Sequence, residues 1–181
     1  MIMKRFICAA IPLFVLAACG GQDHPVPEIG VELYTATIVP TEGNSAEGTV
    51  TFRRTGDGIA VIANVEGLDP NSRHGFHIHQ YGDCTSADAS SAGGHFNPTG
   101  ARHGGRHSDE RHVGDLGNLE ANDSGVATLE YIDDKLTMDG RHTILGRGVI
   151  VHADPDDYET QPTGDAGGRI GCGVIGVAER D

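Results

Sequence analysis

The 181-residue sequence predicts an all-β domain, an eight-stranded antiparallel sandwich or barrel that carries two long functional loops. Three observations carry that reading. Short runs rich in β-branched and apolar residues recur along the chain, and several alternate with period two. Turn signals separate the runs. No stretch sustains the 3.6-residue period of an amphipathic helix.

The strands are expected in order over 31–39, 48–54, 59–65, 76–81, 116–120, 126–132, 148–152 and 173–178. In the second, Val50 and Phe52 alternate with Thr49 and Thr51, so one face is apolar and the other polar. Gly56-Asp57-Gly58 turns the chain into the third strand, and Asp69-Pro70-Asn71 marks a bend ahead of the fourth. Asn122-Asp123-Ser124-Gly125 joins the fifth and sixth. The alternation leaves sandwich and barrel both open. Two polar segments interrupt the pattern, 82–114 and 153–168, rich in Gly, Ser, Asp, His and Arg. Loops of that length in one compact domain are either disordered or functional. Regularly placed histidines argue for function.

Composition narrows the chemistry. There are 13 Lys+Arg against 26 Asp+Glu, for a net charge of −13. A nucleic-acid backbone would repel such a chain, so no nucleic-acid partner is expected. Gly 27 and Pro 8 suit a loop-rich β-protein. Ten His are many beside 13 Lys+Arg and hint at metal chemistry. The sequence holds no internal repeat and no second domain.

Residues 1–18 read as a signal peptide. Lys4 and Arg5 form a basic start. The apolar run 6–18 is shorter than the roughly 20 residues that span a bilayer. It ends Leu16-Ala17-Ala18-Cys19-Gly20, which resembles a bacterial lipoprotein box. Cys19 would then be the lipidated N-terminus and membrane anchor; an ordinary signal peptide with an incidental Cys is the alternative. Residues 19–30 read as a tether and 31–181 as the domain. Gly20 favours the outer membrane if the host is Gram-negative. With Cys8 cleaved off and Cys19 lipidated, Cys84 and Cys172 remain, and in an exported chain two cysteines read as one disulfide rather than two free thiols. It would span 88 residues, worth on the order of 4 kcal/mol in the chain-entropy model.

His77 and His79 stand two apart on a strand, so both rings project from one face. Two surface histidines would show the same pattern. His74 has the parity of Phe76 and Ile78 and reads as a structural, hydrogen-bonded histidine. His95, His103, His112 and Asp115 offer three imidazoles and a carboxylate, a closed tetrahedral set that suits zinc and would order the glycine-rich loop. His152 ends an apolar strand and with His77 and His79 makes a nitrogen-only set suited to copper.

These stretches together resemble the copper–zinc superoxide dismutases, in their bacterial envelope branch. The resemblance rests on His74-Gly75-Phe76-His77-Ile78-His79, Gly93-Gly94-His95-Phe96-Asn97-Pro98, His103-Gly104-Gly105, Arg111-His112-Val113-Gly114-Asp115-Leu116-Gly117-Asn118 and the run from Gly167 to Gly176. It covers roughly residues 31–181 and implies a Greek-key arrangement of the eight strands. It also implies copper on His77, His79, His95 and His152, and zinc on His95, His103, His112 and Asp115, with His95 shared. Asp156, rather than Asp157, would tie a copper histidine to a zinc histidine. Arg169 would stand beside the copper and orient the substrate. The implied activity is dismutation of superoxide to oxygen and hydrogen peroxide in the bacterial envelope or periplasm. The resemblance admits both a monomer and a homodimer.

Gly171 and Asp165 stand where related sequences often have Ala and Asn. The second loop is shorter than in cytosolic eukaryotic forms, and the first is longer after Cys84. Both differences fit the bacterial branch. His107, His24 and His142 read as solvent-exposed. Related bacterial enzymes often carry a Lys in the second loop; this chain has Glu159 there. Glu159 is expected to oppose an incoming anion unless Arg102 or Arg106 reaches the channel.

Overall fold

The computed structural model describes residues 32–179; the expected signal peptide, Cys19 and the tether lie outside them. Nine strands form among the described residues: β1 (Leu33–Pro40), β2 (Glu47–Thr55), β3 (Gly58–Glu66), β4 (Arg73–His79), β5 (Asp115–Glu120), β6 (Ala127–Asp133), β7 (Gly148–His152), β8 (Arg169–Val174) and β9 (Gly176–Val177). The only helices described are two single 3-10 turns, at Ser90–Ala92 and Gly140–His142. Eight strands hydrogen-bond in the order β5-β4-β7-β8-β1-β2-β3-β6, and β9 pairs with β1. Every pairing is antiparallel. An Ala121–Ala127 bridge joins the two end strands, so the sheet is a nearly closed barrel. The neighbours β3–β6, β4–β7 and β1–β8 are distant in sequence, which is the Greek-key crossing.

Period two places the core. On β2, Val50 and Phe52 are buried while Thr49 and Arg53 face water. With Ile38, Val61, Phe76, Ile78, Leu116 and Leu119 they fill the barrel. The strands that carry the histidines behave differently. β7 is buried throughout, and β4 is buried after Arg73. Their outer face is covered by the first long loop, where Ala89 and Ala92 pack on Ile150 and the Cys84–Cys172 disulfide. Apolar cover over an expected polar face is what gives these histidines a dry site.

Two boundaries depart from the sequence reading. β4 begins at Arg73 and ends at His79, because Gln80 and Tyr81 turn to bond Gly94 O and Ala92 O in the first loop (2.9 and 3.0 Å). The last expected strand, 173–178, is two pieces. β8 starts at Arg169, and the buried Ile175 breaks it by bonding Arg147 O at 2.9 Å. Glycines in β8 concealed this strand. A Cβ on Gly173 would sit 2.5 Å from Thr37 O, and one on Gly171 would sit 2.8 Å from Ile38 Cγ2. β8 thus crosses β1 too closely for side chains, the situation in which a strand interior selects glycine.

Candidate metal centre

The register of β4 and β7 assembles the first histidine set. His77 pairs with Ile150 and His79 with Gly148, so both rings leave the same side of the sheet. His152, at the end of β7, lies opposite Arg169 of β8. His95 joins from the first loop through a bridge to His79. Phe96 N donates to Ile78 O, and Ile78 N donates to Gly114 O (both 2.8 Å). The loop is therefore stitched to β4 on both sides of the site. One ligand atom from each of His77, His79, His95 and His152 lies within 4.8 Å of the others. The same holds for His95, His103, His112 and Asp115. All seven residues are buried.

Hydrogen bonds at the outer nitrogens fix which atoms face inward. His77 Nε2 donates to Asp156 Oδ2 (2.8 Å), which leaves Nδ1 bare. His103 Nε2 donates to Asp156 Oδ1 (2.9 Å), which turns Nδ1 inward, 3.1 Å from Asp115 Oδ1. His79 Nδ1 donates to Gly93 O (2.9 Å) and His152 Nδ1 to Gly167 O (3.3 Å), so their Nε2 atoms point inward, 3.3 Å apart. His95 turns Nδ1 to Asp115 Oδ1 (2.9 Å) and Nε2 toward the other set. Buried nitrogens without a hydrogen-bond partner include His77 Nδ1, His95 Nε2 and His103 Nδ1. Unsatisfied buried polar atoms are costly; His77 Nδ1 and His95 Nε2 fall in the first set and His103 Nδ1 in the second, and each set suits a cation. His95 Nδ1 and His112 Nδ1 are 3.4 Å apart. That matches the edge of a tetrahedron with zinc–nitrogen bonds of about 2.0–2.1 Å. The residues fit two metals, and His95 belongs to both sets.

A family model for copper/zinc superoxide dismutase matches residues 46–175.

The chain belongs to the copper/zinc superoxide dismutase family.

It is 39% identical to an extracellular copper–zinc superoxide dismutase of Drosophila melanogaster, over 97% of this chain and 99% of that protein. It is 44% identical to a copper–zinc superoxide dismutase of Paramecium bursaria Chlorella virus 1, over 81% of this chain and 80% of that one. A solved crystal structure of the clock protein EA4 has the same fold, with a TM-score of 0.74 at 37% identity. That match covers 81% of this chain and 95% of the other. Copper and zinc are the cofactors of the family, and both clusters are compatible with them.

For a member of the copper/zinc superoxide dismutase family, the electrostatics of the centre are pre-set for metal. Burial, with the neighbouring His77, lowers His95 to about 4. Burial also holds His79 and His152 well below the usual imidazole range, reinforced by their mutual positive neighbours and Arg169. These rings stay neutral at pH 7, as ligands must. Burial would lower His103 too, but the nearby Asp115 carboxylate, 3.1 Å from Nδ1, and the hydrogen bond to Asp156 outweigh it and raise the ring to about 9, so this ring must give up a proton to take a metal. Both carboxylates resist burial and stay below the ordinary carboxylate range because histidines surround them.

Among the described residues, the candidate metal, Asp156 and Arg169 positions singled out in the sequence lie here or beside it, while Cys19 lies outside the described residues. Arg169 is half-buried and donates to Ala89 O (2.5 Å) and Gly93 O (2.6 Å). Gly93 O also receives His79 Nδ1, so one carbonyl positions both side chains. His74 is structural, as expected: Nδ1 donates to His152 O at 2.7 Å, and Nε2 lies 2.6 Å from Ser72 Oγ. Asp157 stays outside and caps its own loop by accepting from Glu159 N and Thr160 N. His107 is exposed and accepts from Arg106 Nε at 3.1 Å, His142 is half-buried, and His24 lies outside the described residues.

Three positioning residues were missed. Asn118 holds the Asp156 main chain from both sides, Oδ1 accepting from its N–H (2.8 Å) and Nδ2 donating to its carbonyl (2.9 Å). Arg111 donates to the carbonyls of His112, Val113 and Asp115 and pairs with Asp133 Oδ2 at 2.7 Å. Gln161 bonds the main chain of His103. Their only sequence signal was a polar residue beside a ligand, which spacing cannot distinguish from solvent exposure.

Proposed function

We propose that this chain is an exported superoxide dismutase that removes superoxide at the bacterial cell envelope. Copper sits on His77, His79, His95 and His152, and zinc on His95, His103, His112 and Asp115. The sharing of His95 between two four-ligand sets, beside a positioned arginine, carries this reading. Copper supplies the one-electron chemistry that converts two superoxide ions and two protons into one oxygen and one hydrogen peroxide, and zinc supplies fixed charge. The protein residues do the rest. Arg169, held by two carbonyls, presents its charge beside His79 and His152 and orients the small anion. Asp156 keeps His77 and His103 turned to their metals. His95 Nε2, buried without a partner, is the atom that can take up and return one proton; solvent supplies the other.

Residues 1–18 act as a lipoprotein signal peptide, Cys19 carries the lipid anchor, residues 19–30 are the tether and 31–181 the enzyme domain. The basic start, apolar run and Leu-Ala-Ala-Cys sequence support export and lipidation. The extracellular Drosophila relative, aligned over 97% of the chain, supports export. Gly20 favours outer-membrane residence.

The test is metal content together with superoxide decay. His152→Ala should abolish dismutation and retain zinc. His112→Ala should lose zinc and stability first. Equal loss of both metals in both variants would overturn the two-site assignment. Cys19→Ser should release the protein from membranes with activity per copper unchanged; continued membrane attachment would refute the anchor.

A further inference from the structure

The second long loop reaches across to the first through Gln161. Residues 156–164 form a closed turn: Asp157 N donates to Gly164 O (2.9 Å), and Gly164 N to Thr160 O (2.7 Å). From this turn the Gln161 amide meets the main chain of His103 on both sides. Its Oε1 accepts from His103 N at 2.8 Å, and its Nε2 donates to His103 O at 3.0 Å. Nε2 also donates to Glu159 O at 3.1 Å, which fixes the amide's own orientation. His103 lies in a stretch without strand pairing. Gln161 supplies both hydrogen bonds given to its main chain, while Asp156 holds its ring. Other ligands are anchored differently: His77, His79 and His152 lie on strands, His95 is bridged to β4, and the carbonyls of His112 and Asp115 are held by Arg111.

We propose that Gln161 is a positioning residue for the second metal set: its side-chain amide acts as a two-bond clamp that holds His103 in place before zinc arrives. The inference rests on the zinc assignment above. Without the clamp, binding zinc must also order the His103 main chain, and that entropy is taken from affinity. The clamp touches no member of the copper set.

The experiment uses the purified full chain, stripped of metal and titrated with zinc and, separately, with copper against chelators. Gln161→Met keeps the length of the side chain and removes both bonds. It should weaken zinc binding by about 5- to 30-fold, the equivalent of two hydrogen bonds of ordinary net strength. Copper affinity should change by less than about twofold, within the scatter of ordinary surface changes. Hydrogen exchange at the His103 amide of the metal-free protein should become fast. Gln161→Ala should match Gln161→Met, since the bonds rather than the bulk do the work. Unchanged zinc affinity in Gln161→Met, equal loss of both metals, or a lower melting temperature with both affinities intact would each overturn the clamp. His112→Ala runs alongside: if that variant keeps its zinc, the zinc assignment itself fails, whatever Gln161 does.

Discussion

At the residue scale, the centre depends on what is absent as much as on its ligands. Gly164 has φ +67°, and a Cβ there would collide with Asp156 Oδ1 and lie 2.6 Å from His103 Nε2. Gly164→Ala is expected to break the carboxylate bridge, lower zinc retention under chelator challenge and cost at least about 1 kcal/mol of stability. Protons act on the same residues in opposite directions. In the metal-free protein His95 titrates near 4, below the 6.5 of an unfolded histidine, so folding excludes a proton that the unfolded chain binds. Stability therefore falls as pH drops from about 6.5 to about 4, and the lowered Asp115 and Asp156 carry the loss on below the ordinary carboxylate value of 3.8. His103, raised to about 9, works the other way: its contribution is complete below about 6.5 and is lost as pH rises through 9. Urea midpoints of the stripped protein should peak between these limbs, and a monotonic profile would contradict the assignment. The ligands were legible because metals demand particular side chains at reachable spacings. Gln161 and Asn118 were not, because their work is done on main-chain groups that sequence does not display.

At the element scale, the strands were readable where one face meets water, as in β2, and equally in β7, which is covered on both faces yet runs over 148–152 as expected; β4 and β8 were the ones misplaced. β8 was displaced because its glycines look like a loop, although close passage over β1 requires them. Arg169 accordingly begins a strand rather than lying within a loop, and its carbonyl partners are what the loop provides. The disulfide ties that loop to β8 three residues beyond Arg169. Cys84→Ser should lower the unfolding free energy by roughly 2–5 kcal/mol. It should also speed hydrogen exchange across residues 84–93, where Ala89 O and Gly93 O hold the guanidinium. Membrane localisation should be unaffected. Unchanged exchange in that segment would separate the disulfide from Arg169.

At the scale of the whole molecule, charge and topology set the limits. The chain carries −13 overall, so net charge opposes the approach of an anionic substrate, and attraction has to come from local positive groups such as Arg169. Arg106 is engaged elsewhere, its guanidinium 5.0 Å above the Tyr131 ring and bonded to His107. Glu159 is exposed on the second loop. Glu159→Lys should raise the second-order rate at low ionic strength, with the gain shrinking above roughly 0.1 M salt, where the Debye length is about 10 Å. Superimposable salt curves for the two proteins would exclude a steering role. Topology has its own cost at the seam. Asp115 is both a member of the second four-residue set and the first residue of β5, one of the two strands that end the sheet. The barrel has almost no free edge only while β5 stays seated beside β6. Parting of the two strands at their bridge would expose unpaired backbone donors and acceptors, a template on which other copies of the chain can polymerise. The short Ala121–Ala127 seam is thus also a guard against self-association.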